Sequence, residues 1–381
     1  SQLKVNAISD AAGANGNAIT LATDGTCTAK VTNSLSHRNK IINGSCIVNQ
    51  RGTRTAATSN GYYACDRMRT VLWDIGTYTV EGSTDSPDGF TKSLKWDCTT
   101  ADTSVAAGAY IGFRYQFEGD EVQDLKYGTS DAETCTFSFW IKSVTTGNIA
   151  VRFKNSHSGG TRMIGKTVAV SQANTWEKKT VTLAGDTSTA IESGTAAELQ
   201  LFIFFNAGTD RTSGAVPTSW EASTTADEAA GATLAINGDV ANNVWLTGLQ
   251  FEKGSYGSDF EHRSFGDELA RCQRYYEKSY KYEHAPGTAT DDGRRLRRVC
   301  ASATNQTVFI EETFKVTKRA SPTVTTYSSD GTSGKMFLCN YGSTSLHVNA
   351  SVYGKCDVGF EVSGSGTANG AAVFWQAESE L

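Results

Sequence analysis

Apolar and polar residues alternate with a period of two along much of the chain, as they do in half-buried β-strands. Between Glu133 and Val144 every second residue is apolar, and Trp140 lies on the opposite, more polar face. The run from Leu199 to Phe205 is apolar on both faces, which is typical of a central strand covered on both sides. Clusters of Gly, Asn, Asp and Ser separate such segments and predict tight turns. We therefore expect a large β-sandwich from Asn39 to about Phe260.

One helix interrupts this pattern at about Ser264 to Tyr282. Ser264 is a predicted N-cap, Asp267 falls in the first turn, and apolar side chains then recur at helical spacing as far as Tyr280. Glu277 and Lys281 have the spacing of a helical ion pair. A Pro-Gly pair soon afterwards ends the helix. The period of two then returns in six short segments, which predict a second, smaller sandwich.

Residues 1–36 are small and polar, with few apolar positions. Such a segment cannot bury enough apolar surface to fold alone, because the entropy cost of ordering it is not offset. We expect it to be ordered by a partner, either sister chains or a docking site on a larger particle. A frayed tail is the alternative.

Composition and charge exclude several classes of function. The 381 residues include 37 Gly and only 4 Pro, and the formal charge of −5 is small. Basic residues are scattered apart from four arginines within residues 294–298, which we interpret as a solvated loop or an inter-subunit salt-bridge site, so nucleic acid is not an expected partner. No membrane insertion is expected, because the longest apolar run, Leu201 to Phe205, is far shorter than the roughly 20 residues of a bilayer helix. The first residues also lack the pattern of a secretory signal.

Nine cysteines occur without a CxxC pair and without a histidine at metal-ligand spacing. This odd number predicts small core residues in a protein that folds in a reducing cytoplasm. The sequence therefore predicts neither a metal site nor a cofactor. Calcium stays open as an alternative, since Asp-rich loops can bind it through carboxylate and carbonyl oxygens.

Candidate catalytic groups are few, and no enzyme is predicted. The acidic residues between Glu118 and Asp124 offer the paired carboxylates that a glycosidase needs, but adjacent acids on an exposed loop are more often solvated. Nucleophile-elbow, P-loop and dinucleotide-binding motifs are not found in the sequence. These candidate carboxylates are Glu118, Asp120, Glu121 and Asp124.

Several motifs together resemble a family of bacteriophage tail-fibre and carbohydrate-binding-module-like virion proteins. The strongest is a Trp-Leu-Thr-Gly-Leu-Gln-Phe-Glu-Lys-Gly-Ser run that leads into the predicted helix. The resemblance covers about residues 37–381 with gaps. One departure is Met68, where family members often have a tryptophan. The motifs are Asn39–Gly44, Gln50–Thr53, Tyr62, Asp66–Arg67, Phe137–Ser143, Ala173–Trp176, Trp245–Ser255, Phe260–Arg263, Glu268–Tyr276 and Ala377–Leu381.

This resemblance implies a jelly-roll sandwich, a homotrimer and a place in a virion appendage that touches host-surface glycan. It supplies no catalytic residues. The predicted organisation is an extended docking and trimer segment (1–36), a jelly-roll carbohydrate-binding-module-like sandwich (37–263), a linking helix (264–284) and a C-terminal β-sandwich (285–381). The predicted fold class is all-β.

Five aromatic residues are candidate ligand contacts, because the C–H faces of sugars stack on aromatic rings. Phe202 and Phe204 lie on the face opposite Leu201 and could share a groove with Trp140, although a covered core position is the alternative for both phenylalanines. Trp73 and Trp220 lie in loop-rich contexts. The candidates are thus Trp140, Phe202, Phe204, Trp73 and Trp220.

The predicted function is that of a tail-fibre component of a virion, made in the bacterial cytoplasm. Residues 1–36 would attach it to phage tail or capsid proteins, and the sandwiches would contact host-surface glycan. A capsid (head) fibre or decoration protein is the first alternative. A glycan-cleaving appendage is the second.

Overall fold

A computed structural model describes residues 7–9, 17–21, 27–29, 37–157, 160–339 and 346–381. The chain forms two compact units, Ser1–Arg38 and Asn39–Leu381. Nearly all regular structure is β-strand, which confirms the predicted all-β class. None of the helices in the described ranges is long and apolar enough to cross a membrane.

The first unit contains three short strands, β1 (Ala7–Ser9), β2 (Asn17–Leu21) and β3 (Cys27–Ala29). They pair antiparallel in the order β1-β2-β3. Most of the segment predicted to dock the protein, residues 1–36, lies outside the described residues, and its docking and trimer roles stay predictions.

The second unit begins with a sandwich of two antiparallel sheets. A six-stranded sheet has the order β13-β10-β16-β8-β7-β4, and a seven-stranded sheet has the order β15-β12-β11-β14-β9-β6-β5. Its strands are β4 (Arg54–Ala57), β5 (Gly61–Tyr62), β6 (Arg69–Trp73), β7 (Thr77–Ser83), β8 (Ser93–Thr100), β9 (Tyr110–Glu118), β10 (Cys135–Ser143), β11 (Gly147–His157), β12 (Gly160–Val170), β13 (Glu177–Leu183), β14 (Ala197–Ala207), β15 (Glu221–Ala222) and β16 (Asn243–Lys253).

The core of this sandwich is built by the inward-facing half of each alternating strand. Phe137 and Phe153, from opposite sheets, have ring centroids 6.1 Å apart, and Trp96 meets Phe205 at 5.2 Å. The Trp96 indole donates a hydrogen bond across the sandwich to the Thr70 hydroxyl at 3.0 Å. Aromatic pairs and satisfied polar tips of this kind fix one arrangement of the two sheets.

Helical structure is confined to short segments in the described part of the chain. The helices are α1 (Thr209–Thr212) and α2 (Phe265–Gln273), with 3-10 turns at Gly119–Glu121, Gln123–Leu125 and Thr225–Asp227. As predicted, the Ser264 hydroxyl caps α2 by accepting a hydrogen bond from the Asp267 amide. The helix is much shorter than the predicted span of 264–284, because residues from Tyr276 onwards pair with a strand.

The C-terminal strands surround a second core. The 20-residue strand β23 pairs with β17, β18, β19, β20 and β22, so the last two of the six predicted segments form one strand. Trp375 on this strand packs against Phe314 at 5.6 Å and Phe360 at 5.3 Å. The strands are β17 (Tyr276–Lys278), β18 (Arg295–Thr313), β19 (Thr323–Tyr327), β20 (Lys335–Cys339), β21 (Leu346–Asn349), β22 (Ser351–Tyr353) and β23 (Gly359–Glu378).

Two sequence interpretations are corrected here. The arginine cluster was predicted as a solvated loop or an inter-subunit salt-bridge site, but all of it except Arg294 lies in strand β18; Arg295 and Arg297 are exposed, and Arg295 pairs with Glu312 at 3.3 Å. Glu277 lies on β17, outside the helix, and its carboxylate binds the buried Lys318 ammonium at 2.6 Å. The expected helical pair with Lys281 is therefore not formed. Both differences follow from strand pairing with β23. For Glu277, this pairing overrides the local helical spacing.

A buried charge cluster gives several of the motif residues a structural role. The Glu380 carboxylate binds Arg51 at 2.9 Å and Arg67 at 2.5 Å. The Arg67 guanidinium lies over the Tyr275 ring, 3.5 Å from its centroid. Met68, the position where the family often has tryptophan, is fully buried in the main core. These residues hold the segment after Asn39, the helix region and the last strand together.

Candidate functional site

The outer face of the seven-stranded sheet carries rows of side chains that the strand register lines up. Phe202 on β14 lies beside Arg152 on β11 and beside Arg114 on β9. Arg114 is in turn the direct cross-strand neighbour of Arg69 on β6. The alternation of these strands explains the placement, because residues such as Ile203 point into the core.

A groove of about 300 Å³ lies over this face. Arg211 on α1 and Glu228, with the residues next to it, form one wall. The groove is rich in cationic and aromatic side chains. Its lining residues are Asn60, Arg69, Val71, Tyr110, Arg114, Lys154, Ser156, Thr161, Gln200, Phe202, Phe204, Arg211 and Glu228.

The wall is attached to the sheet by Arg152. This buried guanidinium donates hydrogen bonds to the backbone carbonyls of Asp227 at 3.1 Å and, more closely, Ala230 at 2.6 Å. Burial lowers the pKa of Arg152 to about 10, because the charged form loses hydration. Covering the β11 side of the face in this way leaves the groove open over β14, β9 and β6.

Three aromatic rings line the groove, and Trp73 lies next to one of them in the sheet. Phe202 and Phe204 are stacked, with ring centroids 5.5 Å apart, and Phe204 meets Tyr110 edge-on at 6.3 Å. Trp73 on β6 is the cross-strand neighbour of Tyr110. Trp73 is 57% exposed, whereas Phe202 and Phe204 are buried, so Trp73 offers the most accessible ring.

Cations cover the buried rings. The Lys154 ammonium lies 5.3 Å from the Phe202 centroid, and the Arg114 guanidinium lies 5.7 Å from it. The Arg211 guanidinium lies 4.3 Å from the Tyr110 centroid. These cation–π contacts hold the positive groups over the aromatic floor.

The charges of the groove do not balance. The Glu228 carboxylate contacts both Lys154 and Arg211. Within the described residues, no carboxylate lies within ion-pair distance of Arg69 or Arg114. Burial and the neighbouring Arg69 lower the pKa of Arg114 to about 10. The groove is thus a net positive environment with a rigid apolar floor.

A larger depression of about 770 Å³ lies beside Trp73. Trp73 lines this depression and Tyr110 lines the groove, so the two cavities are next to each other where these residues pair in the sheet. Its lining residues are Thr58, Trp73, Asp74, Ile75, Gly76, Thr77, Ala101, Asp102, Ser104 and Ala106.

The structure brings together three of the five predicted contacts, Phe202, Phe204 and Trp73. Trp140 lies on β10 in the other sheet, so the expected groove shared with the two phenylalanines is not formed. The Trp220 indole donates to the Ala184 carbonyl at 2.8 Å, and its ring packs against the main core. Trp220 therefore has a structural role.

The cationic residues of the groove were missed at the sequence level. Arg114 and Lys154 each stand at a polar position of a strongly alternating strand, which marks an outward-facing residue. That signal assigns each residue to the outer face of its own strand, but it does not show that the two lie close together in the fold. Arg69 and Arg211 come from other segments and meet them only through the fold.

The candidate catalytic carboxylates do not form an accessible pair. Glu118 is buried, and Arg274 donates to its two oxygens at 2.9 and 2.7 Å. The Tyr275 hydroxyl donates to Glu118 and, at 3.1 Å, to Glu121. Burial raises the pKa of Glu121. The interpretation of these acids as a solvated loop is thus wrong for Glu118 and Glu121, which hold the helix region against the sheet.

The two remaining acids of this segment are exposed and engaged separately. Asp120 accepts a hydrogen bond from the Gly194 amide, and Asp124 pairs with Lys40 at 2.8 Å. Across the described parts of the chain, no group of three or more His, Cys, Asp or Glu residues could hold a metal ion. Calcium binding stays a prediction.

Comparisons with known proteins give distant matches only. No protein-family model and no curated protein sequence matches the chain. Among solved structures, the chain is similar to the enzymatically active domain of bacteriophage CBA120 tailspike protein 4, with 12% identity, a TM-score of 0.28, and coverage of 57% of this chain and 21% of that one.

Two further structures are carbohydrate-related. The CBM22-1-GH10 modules of a Clostridium thermocellum xylanase complexed with xylohexaose match with 10% identity, a TM-score of 0.30, and coverage of 59% of this chain and 30% of that one. The N-terminal cellulose-binding domain of Cellulomonas fimi β-1,4-glucanase C matches with 14% identity, a TM-score of 0.25, and coverage of 50% and 90%. The chain spans less than a third of the first two structures. These identities and TM-scores are too low to support an argument about function.

Proposed function

We propose that this chain is a non-enzymatic, glycan-binding structural protein of a bacteriophage particle, of the tail-fibre type. The observation that carries the binding function is the groove with its aromatic floor on the outer face of the seven-stranded sheet. The place in a virion is supported by the sequence resemblance described above. Attachment through residues 1–36, assembly as a homotrimer and contact with host-surface glycan complete the proposal.

The groove has the chemistry that sugars require. Its aromatic surface suits the apolar C–H faces of pyranose rings, and polar side chains around it can bind hydroxyl groups. Tyr110 and the exposed Trp73 supply the accessible rings. Asn60 and Gln200 supply amide groups at the rim. Because Tyr110, Trp73 and Gln200 sit on paired strands, this part of the site needs little ordering when a ligand binds.

Binding without cleavage fits the carboxylates of the groove. A glycosidase needs two carboxyl groups that flank the scissile bond. The groove lining contains one, Glu228, and this group contacts Lys154 and Arg211. The groove therefore supports recognition of a glycan rather than its hydrolysis.

Trp73→Ala tests the binding site directly. We expect roughly 3- to 10-fold weaker binding on a glycan array, since an aromatic stacking contact contributes about 0.5–1.5 kcal/mol. Tyr256→Ala is the matched control, because Tyr256 is 78% exposed and lies outside the strands of this sheet. Equal binding by the Trp73 variant and the parent protein would contradict the assignment of this face.

The particle-level proposal needs separate measurements. Gold-labelled antibody against the protein should mark the tail of intact particles; label on the capsid would favour the head-fibre alternative. Sedimentation of the purified chain should give a trimer, and a stable monomer would remove that part of the proposal. Reducing ends released from a bound polysaccharide would instead support a glycan-cleaving appendage.

A further inference from the structure

Two arginines stand side by side in the groove. Arg69 and Arg114 are direct cross-strand neighbours on β6 and β9, both on the outer face of the sheet. Like charges in such positions repel each other and destabilise the sheet. A pair of this kind therefore costs stability in the free protein unless a counter-charge compensates it.

The other groove cations have such a counter-charge, but these two do not. The Glu228 carboxylate forms ion pairs with both Lys154 and Arg211. Within the described residues, neither Arg69 nor Arg114 has an ion pair with a carboxylate, although both side chains are partly buried. A partly buried charge without a counter-charge loses hydration without full compensation.

The position of Arg114 is also fixed before any ligand arrives. Its guanidinium lies 5.7 Å from the Phe202 centroid and donates a hydrogen bond to the Gln116 side chain. Arg69 lies 5.5 Å from the Tyr62 centroid. Guanidinium groups held in this way lose little side-chain freedom when they bind an anion.

We propose that the groove recognises an acidic sugar, whose oxyanion is bound between Arg69 and Arg114. This inference rests on the proposed glycan-binding function and names the class of glycan. The planar guanidinium fork matches a carboxylate or a phosphate through two parallel hydrogen bonds. The C–H face of the same sugar chain meets Tyr110 and Trp73, which lie on the adjoining part of the face.

The test uses trisaccharides that differ only at C6 of each ring: neutral hexose, hexuronic acid and hexose 6-phosphate, each in the gluco, galacto and manno series. Affinities for the full chain are measured by isothermal titration calorimetry. We expect at least one acidic trisaccharide to bind roughly 10- to 100-fold more tightly than its neutral counterpart, as charge-assisted hydrogen bonds allow. Comparison of the uronic acid and phosphate members identifies the oxyanion.

Arg69→Gln and Arg114→Gln should each remove most of that preference while the neutral trisaccharide binds as before. Arg54→Gln is the matched control, because Arg54 is an exposed arginine on β4 in the other sheet and should keep the full preference. Thermal unfolding of each variant checks that it is folded. Loss of like-charge repulsion predicts that neither groove variant is less stable than the parent.

The outcomes separate the two proposals. Equal affinity for acidic and neutral members, or a preference that survives in both groove variants, would overturn the acidic-sugar inference and leave glycan binding intact. Absence of binding to every trisaccharide of the panel would overturn both.

Discussion

At the scale of single residues, Phe202 shows that a position on the outer face of a sheet does not by itself make a ring accessible. Alternation along the strand places its ring on the outer face, as predicted, but the ring is only 8% exposed. The Arg114 and Lys154 side chains lie over the ring and cover the face on which a sugar would stack. The accessible chemistry of the groove is therefore that of the cations, with Phe202 as their support.

Lys154 carries a pH-dependent prediction. Burial, together with the nearby Arg211 and Arg114, lowers its pKa to about 8. Lys154 therefore loses its charge as the pH rises through that value. We therefore expect the affinity for an acidic trisaccharide to fall as the pH rises from 7 to 9, measured by calorimetry.

Lys154→Arg is the control for that measurement. Arginine keeps its charge throughout this pH range, so the fall in affinity should disappear in the variant. An unchanged pH profile in Lys154→Arg would show that another group titrates.

The groove also shows how much of a binding site can be predicted from the sequence. Each outward-facing position can be inferred from its own strand, since apolar neighbours such as Phe113 and Tyr115 flank Arg114. The pairing of Arg114 with Arg69 depends on strand order and register, which arise from packing of the whole sandwich. Local pattern therefore predicted the face, and only the fold revealed the uncompensated charges.

At the scale of elements, the helix after Ser264 illustrates tertiary structure overriding local preference. Its beginning was predictable, because a hydroxyl cap acts over a few residues. Its end was not, because Tyr276 to Lys278 satisfy their backbone groups by pairing with β23. The span predicted as one helix from Ser264 to Tyr282 is thus divided between helix α2, strand β17 and the loop that follows.

Ser264→Ala tests how much the cap contributes. Loss of the hydrogen bond to the Asp267 amide should lower the free energy of unfolding by about 1 kcal/mol, measured by urea denaturation. Ser264→Asp should retain most of the stability, because its carboxylate can accept the same bond and favours a helix N-terminus. Equal stability of the alanine variant and the parent would contradict a role for the cap.

At the scale of the whole molecule, the buried charge cluster of Glu380, Arg51 and Arg67 joins distant parts of the second unit. The Leu381 carbonyl oxygen strengthens the connection by accepting a hydrogen bond from Tyr62 at 2.8 Å. The last strand and the first sandwich are therefore coupled by interactions that are hard to replace. We expect the second unit to unfold cooperatively.

Glu380→Gln tests this coupling. Removing the carboxylate leaves the buried Arg67 guanidinium without its counter-charge, so the free energy of unfolding should fall by about 3–5 kcal/mol. Glu378→Gln is the control: its side chain is 41% exposed and also pairs with Arg51, and its loss should cost less than about 1 kcal/mol. Equal effects of the two substitutions in urea denaturation would argue against the central role of Glu380.

The same ion pair has a consequence for synthesis of the protein. Arg67 and Glu380 are separated by 313 residues, so during translation the arginine leaves the ribosome long before its partner exists. At roughly 5–20 residues per second, the delay is about 15–60 s. Throughout that interval the nascent sandwich has an uncompensated guanidinium where its interior should close. The ion pair between Arg67 and Glu380 therefore forms only after nearly all of the second unit has been synthesised.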